Sequence, residues 1–159
     1  MAYVISDDPA RLDLDVAHAY LAGESYWSPG IPRATFERAV ANSLCLGAYA
    51  PDGAMVGFAR VVTDRATFAW LCDVFVLAAH RGHGLGRRLV RAVQEHPDLR
   101  GLRRMMLATE DAHDLYRPFG YGPVRERLLL ELTRPARELY AEGTPASASS
   151  TSSTSDGVL

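Results

Sequence analysis

Three glycines, Gly82, Gly84 and Gly86, alternate with other residues where an apolar segment gives way to a predicted helix. Because glycine has no side chain, a ligand can come close to the backbone amides of such a turn. Those amides, together with the positive end of the helix dipole, attract an anion. The pattern therefore predicts binding of a phosphate or pyrophosphate. A glycine-rich helix start with only a structural role is the alternative.

The spacing of these glycines differs from two familiar phosphate-binding patterns. A Walker loop has four residues between its glycines and ends in Gly-Lys-Ser/Thr, and dinucleotide-binding folds carry G-x-G-x-x-G. The run Arg81-Gly82-His83-Gly84-Leu85-Gly86-Arg87 has neither arrangement. It resembles the Arg/Gln-x-x-Gly-x-Gly/Ala signature of the GNAT family of N-acetyltransferases. In that family these amides bind the pyrophosphate of acetyl-coenzyme A (acetyl-CoA).

A second motif with the same resemblance lies downstream, after a short apolar segment predicted to be a strand at residues 105–109. It matches, in register, the family pattern Ala-x-x-aromatic/Leu-Tyr-x-x-x-Gly-Phe through Ala112, Leu115, Tyr116, Gly120 and Tyr121. The two motifs lie within residues 68–123, and weaker resemblance extends over most of the chain. The resemblance implies acetyl-CoA as cosubstrate and acetyl transfer to an amine as the reaction.

Such a transfer needs a neutral amine, a hydrogen-bond donor for the oxyanion and a proton for the departing thiolate. The resemblance makes Tyr116 the general acid, since a phenol can protonate a coenzyme A thiolate. Asp73, a carboxylate inside an apolar segment, is the candidate base. Structural alternatives stay open for both: Tyr116 anchoring its helix, and Asp73 binding a loop or an arginine. A water chain is the alternative to a dedicated base.

The resemblance also implies how the cosubstrate would be held. Its pantetheine arm would pair like an added strand with the backbone at Val74, Phe75 and Val76, where an amide would bind the oxyanion. Thr109 replaces an asparagine with which many relatives contact this arm. The remaining predicted contacts, apart from Tyr116 itself, are Arg81, Gly82, His83, Gly84, Leu85, Gly86 and Arg87.

An aromatic loop between the first two predicted helices is the candidate for acceptor binding. Tyr26 and Trp27 could hold a cation through their ring faces or could pack in the core. With Asp73 they form the predicted site for a primary amine, expected to belong to a small molecule. Two alternatives stay open: transfer to a peptide or protein amino terminus, and a non-catalytic acyl-CoA-binding sensor module.

The sequence also contains a histidine pair and two cysteines, but we expect neither a metal site nor a cysteine nucleophile. His80 and His83 form an H-x-x-H pair with no evident third ligand, so we expect no metal. Cys45 and Cys72 stand in separate apolar segments and are expected to be reduced thiols. No histidine stands beside Cys72 in the sequence, so we do not expect it to be a nucleophile.

The composition of the chain limits the number of its domains and the classes of its partners. With 159 residues, 48% of them hydrophobic, the chain is long enough for one domain, predicted at residues 1–142. The Ser/Ala/Thr-rich residues 143–159 are expected to be a disordered tail. The net charge of −2 gives no general attraction to nucleic acid or membranes. We expect a cytoplasmic protein, with a homodimer possible because dimers are common among the relatives it resembles.

The predicted order of elements is strand, two helices, three strands, helix, strand, helix, strand, with the last strand near Leu128 to Leu132. Antiparallel strands followed by a strand–helix–strand unit favour an α/β fold. We expect a mixed, mostly antiparallel central sheet flanked by helices on both faces. The resemblance implies the same arrangement, the GNAT or acyl-CoA N-acyltransferase fold.

Overall fold

The computed structural model describes residues 2–125 and 128–141. Its strands pair in sequence order into one sheet, in which β1 to β4 are antiparallel neighbours and β5 runs parallel to β4. The mixed, mostly antiparallel sheet is therefore confirmed. The strands are β1 (Val4–Ser6), β2 (Leu44–Tyr49), β3 (Met55–Thr63), β4 (Phe68–Val76) and β5 (Arg104–Met106).

Helices cover both faces of this sheet, also as predicted. α1 and α2 pack on one face, where Leu21 and Phe36 are buried with Phe75 of β4. α3 and α4 pack on the other face, where Leu89 and Tyr116 are buried with strand residues. The helices are α1 (Leu14–Gly23), α2 (Arg33–Ala41), α3 (Leu85–Glu95), α4 (His113–Tyr116) and the short α5 (Ala136–Leu139), which the sequence did not predict.

The sheet opens between β4 and β5. Their parallel pairing covers only Phe68 to Trp70 on β4, so the rest of that edge, from Leu71 to Val76, has no neighbouring strand among the described residues. A β-bulge bends the same stretch on its other side, where Asp73 and Val74 lie opposite the single residue Ala59. The exposed edge and the bulge together create the space that the candidate site occupies.

The predicted strand near Leu128 to Leu132 is wrong, because residues 128–132 form no strand in the described part of the chain. The apolar pattern suggested a buried strand, but Leu130 is 100% exposed and Leu132 93% exposed, so no partner strand covers them. β5 is also shorter than predicted and ends at Met106. The predicted tail lies outside the described residues. No described helix is both long and apolar enough to cross a bilayer.

Candidate active site

The glycine-rich turn has the open backbone that an anion site requires. Gly82 and Gly84 have positive φ angles of 81° and 71°, a conformation that favours glycine. A Cβ added at either position would meet no atom within 4 Å, so the space beside the backbone is free. Gly84 directly precedes α3 and no side chain caps it. The first amides of α3 are thus available to a ligand.

The amino terminus of the chain fixes this turn, a relationship that the sequence did not reveal. The hydroxyl of Tyr3 and Nδ1 of His80 are hydrogen-bonded at 3.0 Å, and the Tyr3 carbonyl accepts from Arg88 of α3 at 2.7 Å. The Tyr3 ring also lies 5.4 Å from the His83 ring, centre to centre. Tyr3 therefore ties both sides of the turn to β1. The sequence showed only that residue 3 is aromatic, which does not indicate a contact with this turn.

The two arginines predicted to contact the coenzyme differ in their surroundings. Arg81 donates from Nε to the carbonyl of Val76 at 3.0 Å and from a terminal nitrogen to the Tyr20 hydroxyl at 3.3 Å. Its side chain thus crosses the end of β4. Arg87 is exposed and lines the cleft around the turn. Leu85 is buried beneath the turn, so its backbone alone faces a ligand.

Asp73 stands at the bulge of β4 in a backbone conformation that is unusual for aspartate, with φ of 53°. Its side chain is buried, and both carboxylate oxygens have partners. Oδ1 accepts from the indole nitrogen of Trp27 at 3.0 Å, and Oδ2 accepts from Nε of Arg60 at 2.6 Å. Arg60 in turn donates to Ser43 at 3.1 Å. The alternative that Asp73 binds a loop and an arginine matches these contacts.

Arg60 is the most important site residue that sequence reasoning missed. Burial, the largest single effect, would lower the pKa of Arg60, but the charge and hydrogen bond of Asp73, together with Cys72 and Cys45, outweigh it, so the pKa of Arg60 is raised. Its guanidinium therefore stays charged and compensates Asp73. An arginine within the apolar strand pattern of β3 was the available signal, but only the strand register shows that it lies opposite Cys72, the neighbour of Asp73.

Tyr116 lies at the inner end of the β4–β5 opening. It is 7% exposed, and its hydroxyl has no hydrogen-bond partner among the described residues. Burial, with smaller contributions from Tyr26 and Asp111, raises the pKa of Tyr116 to about 12. The phenol therefore keeps its proton at neutral pH. A buried phenol facing a cavity without a partner has the properties of a proton donor held for a ligand.

The structure also shows what surrounds Thr109 and Cys72. The hydroxyl of Thr109 accepts from the amide of Ala112 at 3.0 Å, so it stabilises the start of α4. Cys72 lines the cavity beside Tyr116, but burial, followed by the Asp73 charge, raises the pKa of its thiol to about 12. The thiol is therefore protonated at neutral pH, consistent with the expectation that it is not a nucleophile.

The aromatic loop forms one wall of the same cavity. Trp27 packs partly against the core besides binding Asp73, so it is both a core and a site residue. Tyr26 is half exposed, and its hydroxyl accepts from the amide of Glu110 at 3.1 Å. That hydrogen bond joins the aromatic loop to the loop after β5, across the outer side of the opening.

Three adjoining cavities connect all of these groups. The first, about 430 Å³, surrounds the glycine turn, and the second, about 320 Å³, follows β4 past Val74 and Val76. The third, about 420 Å³, contains Asp73 and Tyr116. The first two share Val76, Arg81, Gly86 and Leu115, and the last two share Tyr26, Trp27, Val74 and Asp111. We call the whole the β4 channel.

A five-stranded mixed sheet that opens beside β4, with a glycine-rich turn at one end of the opening, is the acyl-CoA N-acyltransferase fold of acetyltransferases. The acetyltransferase (GNAT) family model matches residues 15–121. The chain belongs to the GNAT family.

Individual relatives of the chain also carry acetyltransferase names. A Xanthomonas campestris GNAT-family protein of known structure, provisionally assigned as an acetyltransferase, is 45% identical, with a TM-score of 0.84 over 89% of this chain and 98% of its own. A Gibberella zeae protein with a provisional acetyltransferase name is 33% identical, over 72% of this chain and 75% of its own. A mycothiol acetyltransferase from Pseudarthrobacter chlorophenolicus is 30% identical over 78% of this chain, which spans only 43% of that relative.

Proposed function

We propose that this protein transfers the acetyl group of acetyl-CoA to a primary amine of a small molecule, with both substrates bound together. The observation that supports it is the continuity of the β4 channel, which runs from the amides at Gly84 to the hydroxyl of Tyr116. An anion site at one end and a proton donor at the other suit a phosphate-bearing thioester.

The residues of the β4 channel fit the parts of acetyl-CoA in order. The amides from Gly82 to Gly86 would bind the pyrophosphate, and exposed Arg87 would add a positive charge. The free β4 edge from Leu71 to Val76 offers unpaired backbone groups to the amide-bearing pantetheine arm. A backbone amide near Val76 would bind the oxyanion. Acetyl-CoA supplies the activated acetyl group.

In the proposed reaction the amine nitrogen bonds to the thioester carbon and the carbon–sulfur bond breaks. The nitrogen loses one proton to water, and the departing sulfur gains one from the Tyr116 hydroxyl. Asp73 has both oxygens engaged by Trp27 and Arg60, so we assign it to positioning and assign proton removal to water. This assignment chooses between the two bases that the sequence left open.

A small acceptor is favoured over a peptide by the size of the third cavity. Its volume of about 420 Å³ suits a small ligand, and the Tyr26–Glu110 hydrogen bond joins two of its walls. The presence of a buried, unpartnered tyrosine also supports catalysis rather than sensing, because binding alone does not need it.

The first test is calorimetric titration with acetyl-CoA, with desacetyl-CoA and ATP as controls. We expect micromolar binding of acetyl-CoA and no comparable binding of ATP. Gly84→Asp should abolish binding by placing a side chain and a negative charge in the anion site. Gly101→Asp is the matched control, since Gly101 has a similar φ of 78° and equally open space. Unchanged affinity of Gly84→Asp would contradict the phosphate site.

We also propose a homodimer, with the exposed leucines after residue 127 as the contact. Leu128, Leu129, Leu130 and Leu132 are all exposed, and an exposed apolar patch on a folded protein is typical of an interaction site. Light scattering at several concentrations should give twice the chain mass. The Leu130→Glu/Leu132→Glu variant should run as a monomer, and a monomeric parent protein would contradict the proposal.

A further inference from the structure

The proposed function places the acceptor in the third cavity of the β4 channel. Acidic and aromatic side chains line this cavity, and no basic side chain among the described residues does. Its carboxylates are Asp73, Glu110 and Asp111, and its aromatic residues are Tyr26, Trp27, Trp70 and Tyr116. Such a lining attracts cations through charge and through ring faces, and it repels acceptors that carry carboxylate or phosphate groups.

The three carboxylates do not contribute equally to the negative charge of the cavity. The charge of Asp73 is compensated by Arg60 at 2.6 Å. Glu110 and Asp111 form no ion pair with any described residue and are exposed. Two uncompensated negative charges therefore stand at the outer side of the cavity, next to the half-exposed ring of Tyr26.

The inner end of the cavity, by contrast, is formed by a buried tyrosine. Tyr116 is more than nine-tenths buried, and its unpartnered hydroxyl marks the place where reacting atoms must lie. An amine attacks only in its neutral form, so the nitrogen that lies near Tyr116 in the reacting complex carries no charge. The attacking amine therefore cannot also be the cation that compensates Glu110 and Asp111.

From the different surroundings at the two ends of this cavity, we infer that the acceptor carries a positively charged group in addition to its neutral attacking amine. Its attacking amine lies neutral near Tyr116, and a separate cationic group binds Glu110 and Asp111 beside Tyr26. The acceptor class is thus a diamine or a similarly dibasic compound without an anionic group. This inference rests on the proposed function, because it assigns the acceptor of the same site.

Three matched acceptors of equal chain length test it: 1,4-diaminobutane, butylamine and 4-aminobutyrate. Release of coenzyme A gives kcat/KM for each, and calorimetry on the coenzyme A complex gives their affinities. We expect 1,4-diaminobutane to exceed butylamine by about five- to tenfold in both, the range for two exposed charge pairs. 4-Aminobutyrate should be the poorest. The preference should shrink in 0.5 M salt, because exposed charges are screened.

The variant Glu110→Gln/Asp111→Asn should remove the preference for the diamine, because kcat/KM and affinity should fall more for 1,4-diaminobutane than for butylamine. Glu95→Gln/Asp52→Asn makes the same charge change at exposed positions outside the β4 channel and should keep the preference. Equal affinity and rate for butylamine and 1,4-diaminobutane, in a protein that binds acetyl-CoA, would overturn this inference alone. Failure to bind acetyl-CoA at all would overturn the proposed function beneath it.

Discussion

Arg60 on β3 donates from Nε to Oδ2 of Asp73 on β4 at 2.6 Å, in a pair whose side chains are only 17% and 8% exposed. The carboxylate is also bound by Trp27, so one buried ion pair links β3, the β4 bulge and the aromatic loop. Such a pair holds a local conformation in place, because removing one partner leaves a buried charge uncompensated. The proposed positioning role of Asp73 follows from this geometry.

Asp73→Asn tests that role. The change should destabilise the fold by about 3 kcal/mol, because Arg60 stays buried without its counterion. Urea unfolding measures the loss, and Arg60→Met/Asp73→Asn should recover part of it by removing the stranded charge. The pH profile of kcat/KM should keep its rising limb in Asp73→Asn, whereas loss of that limb would restore Asp73 as the base.

Tyr116→Phe should lower kcat by about 100-fold, the lower range for loss of a general acid. The affinity for acetyl-CoA and the melting temperature should hardly change, since the hydroxyl has no hydrogen-bond partner among the described residues. Tyr121→Phe is the matched control: Tyr121 is a neighbouring tyrosine whose pKa burial also raises to about 12, but its hydroxyl donates to the sulfur of Met105 at 2.7 Å. Equal activity of the two variants would remove Tyr116 as the acid.

The pH dependence of the reaction follows from the same tyrosine. Burial raises the pKa of Tyr116 to about 12, above the usual value for a phenol of about 10, so the protonated form persists to higher pH. The acceptor amine must lose its proton, so activity should rise from pH 6 towards about pH 10. No falling limb should appear near pH 10. A fall there in initial rates, with the fold intact, would show a donor of ordinary pKa.

Local sequence patterns predicted the parts of this site that depend on neighbouring residues in the chain. The glycine turn and the helix after it follow from single-residue spacing and apolar periodicity, and the position of Tyr116 follows from a ten-residue motif. The compensation of Asp73 could not be predicted this way. It depends on the strand register that brings Arg60 opposite Cys72 and on the loop that brings Trp27 to the same carboxylate.

The same limit explains why the predicted strand near Leu128 to Leu132 is wrong. The leucines at 128–132 have the composition of a strand, but a strand also needs a partner, and none lies beside them among the described residues. The predicted contact of Thr109 with the cosubstrate comes from the asparagine that it replaces in the family pattern, and it stays a prediction. The structure shows that the hydroxyl of Thr109 accepts a hydrogen bond from the backbone of its own loop, at Ala112.

Tyr3→Phe tests whether β1 supports the anion site. Losing the hydrogen bond to His80 should weaken acetyl-CoA binding by about fivefold, the range for one net hydrogen bond, with kcat unchanged. Calorimetry and saturating initial rates separate the two effects. Tyr140→Phe, a tyrosine outside the lining of the β4 channel, should change neither. A drop in kcat at unchanged affinity would contradict a role for Tyr3 in holding the turn.

Thr109→Val distinguishes a helix-supporting threonine from a cosubstrate contact. The variant keeps the shape but loses the hydrogen bond to Ala112, which should cost about 1 kcal/mol of stability. Because α4 carries Tyr116, kcat should fall severalfold while acetyl-CoA affinity stays the same. Thr109→Ser should restore both stability and kcat.

Thr63→Val is the matched control for this prediction. The hydroxyl of Thr63 accepts from the amide of Arg65 at 2.8 Å and donates to the carbonyl of Phe68 at 2.6 Å, in the turn between β3 and β4 and outside the lining of the β4 channel. Its loss should lower the melting temperature without a comparable change in kcat of the remaining folded enzyme. If Thr109→Val instead weakens acetyl-CoA binding at unchanged kcat, the threonine contacts the cosubstrate arm, as the family pattern implied.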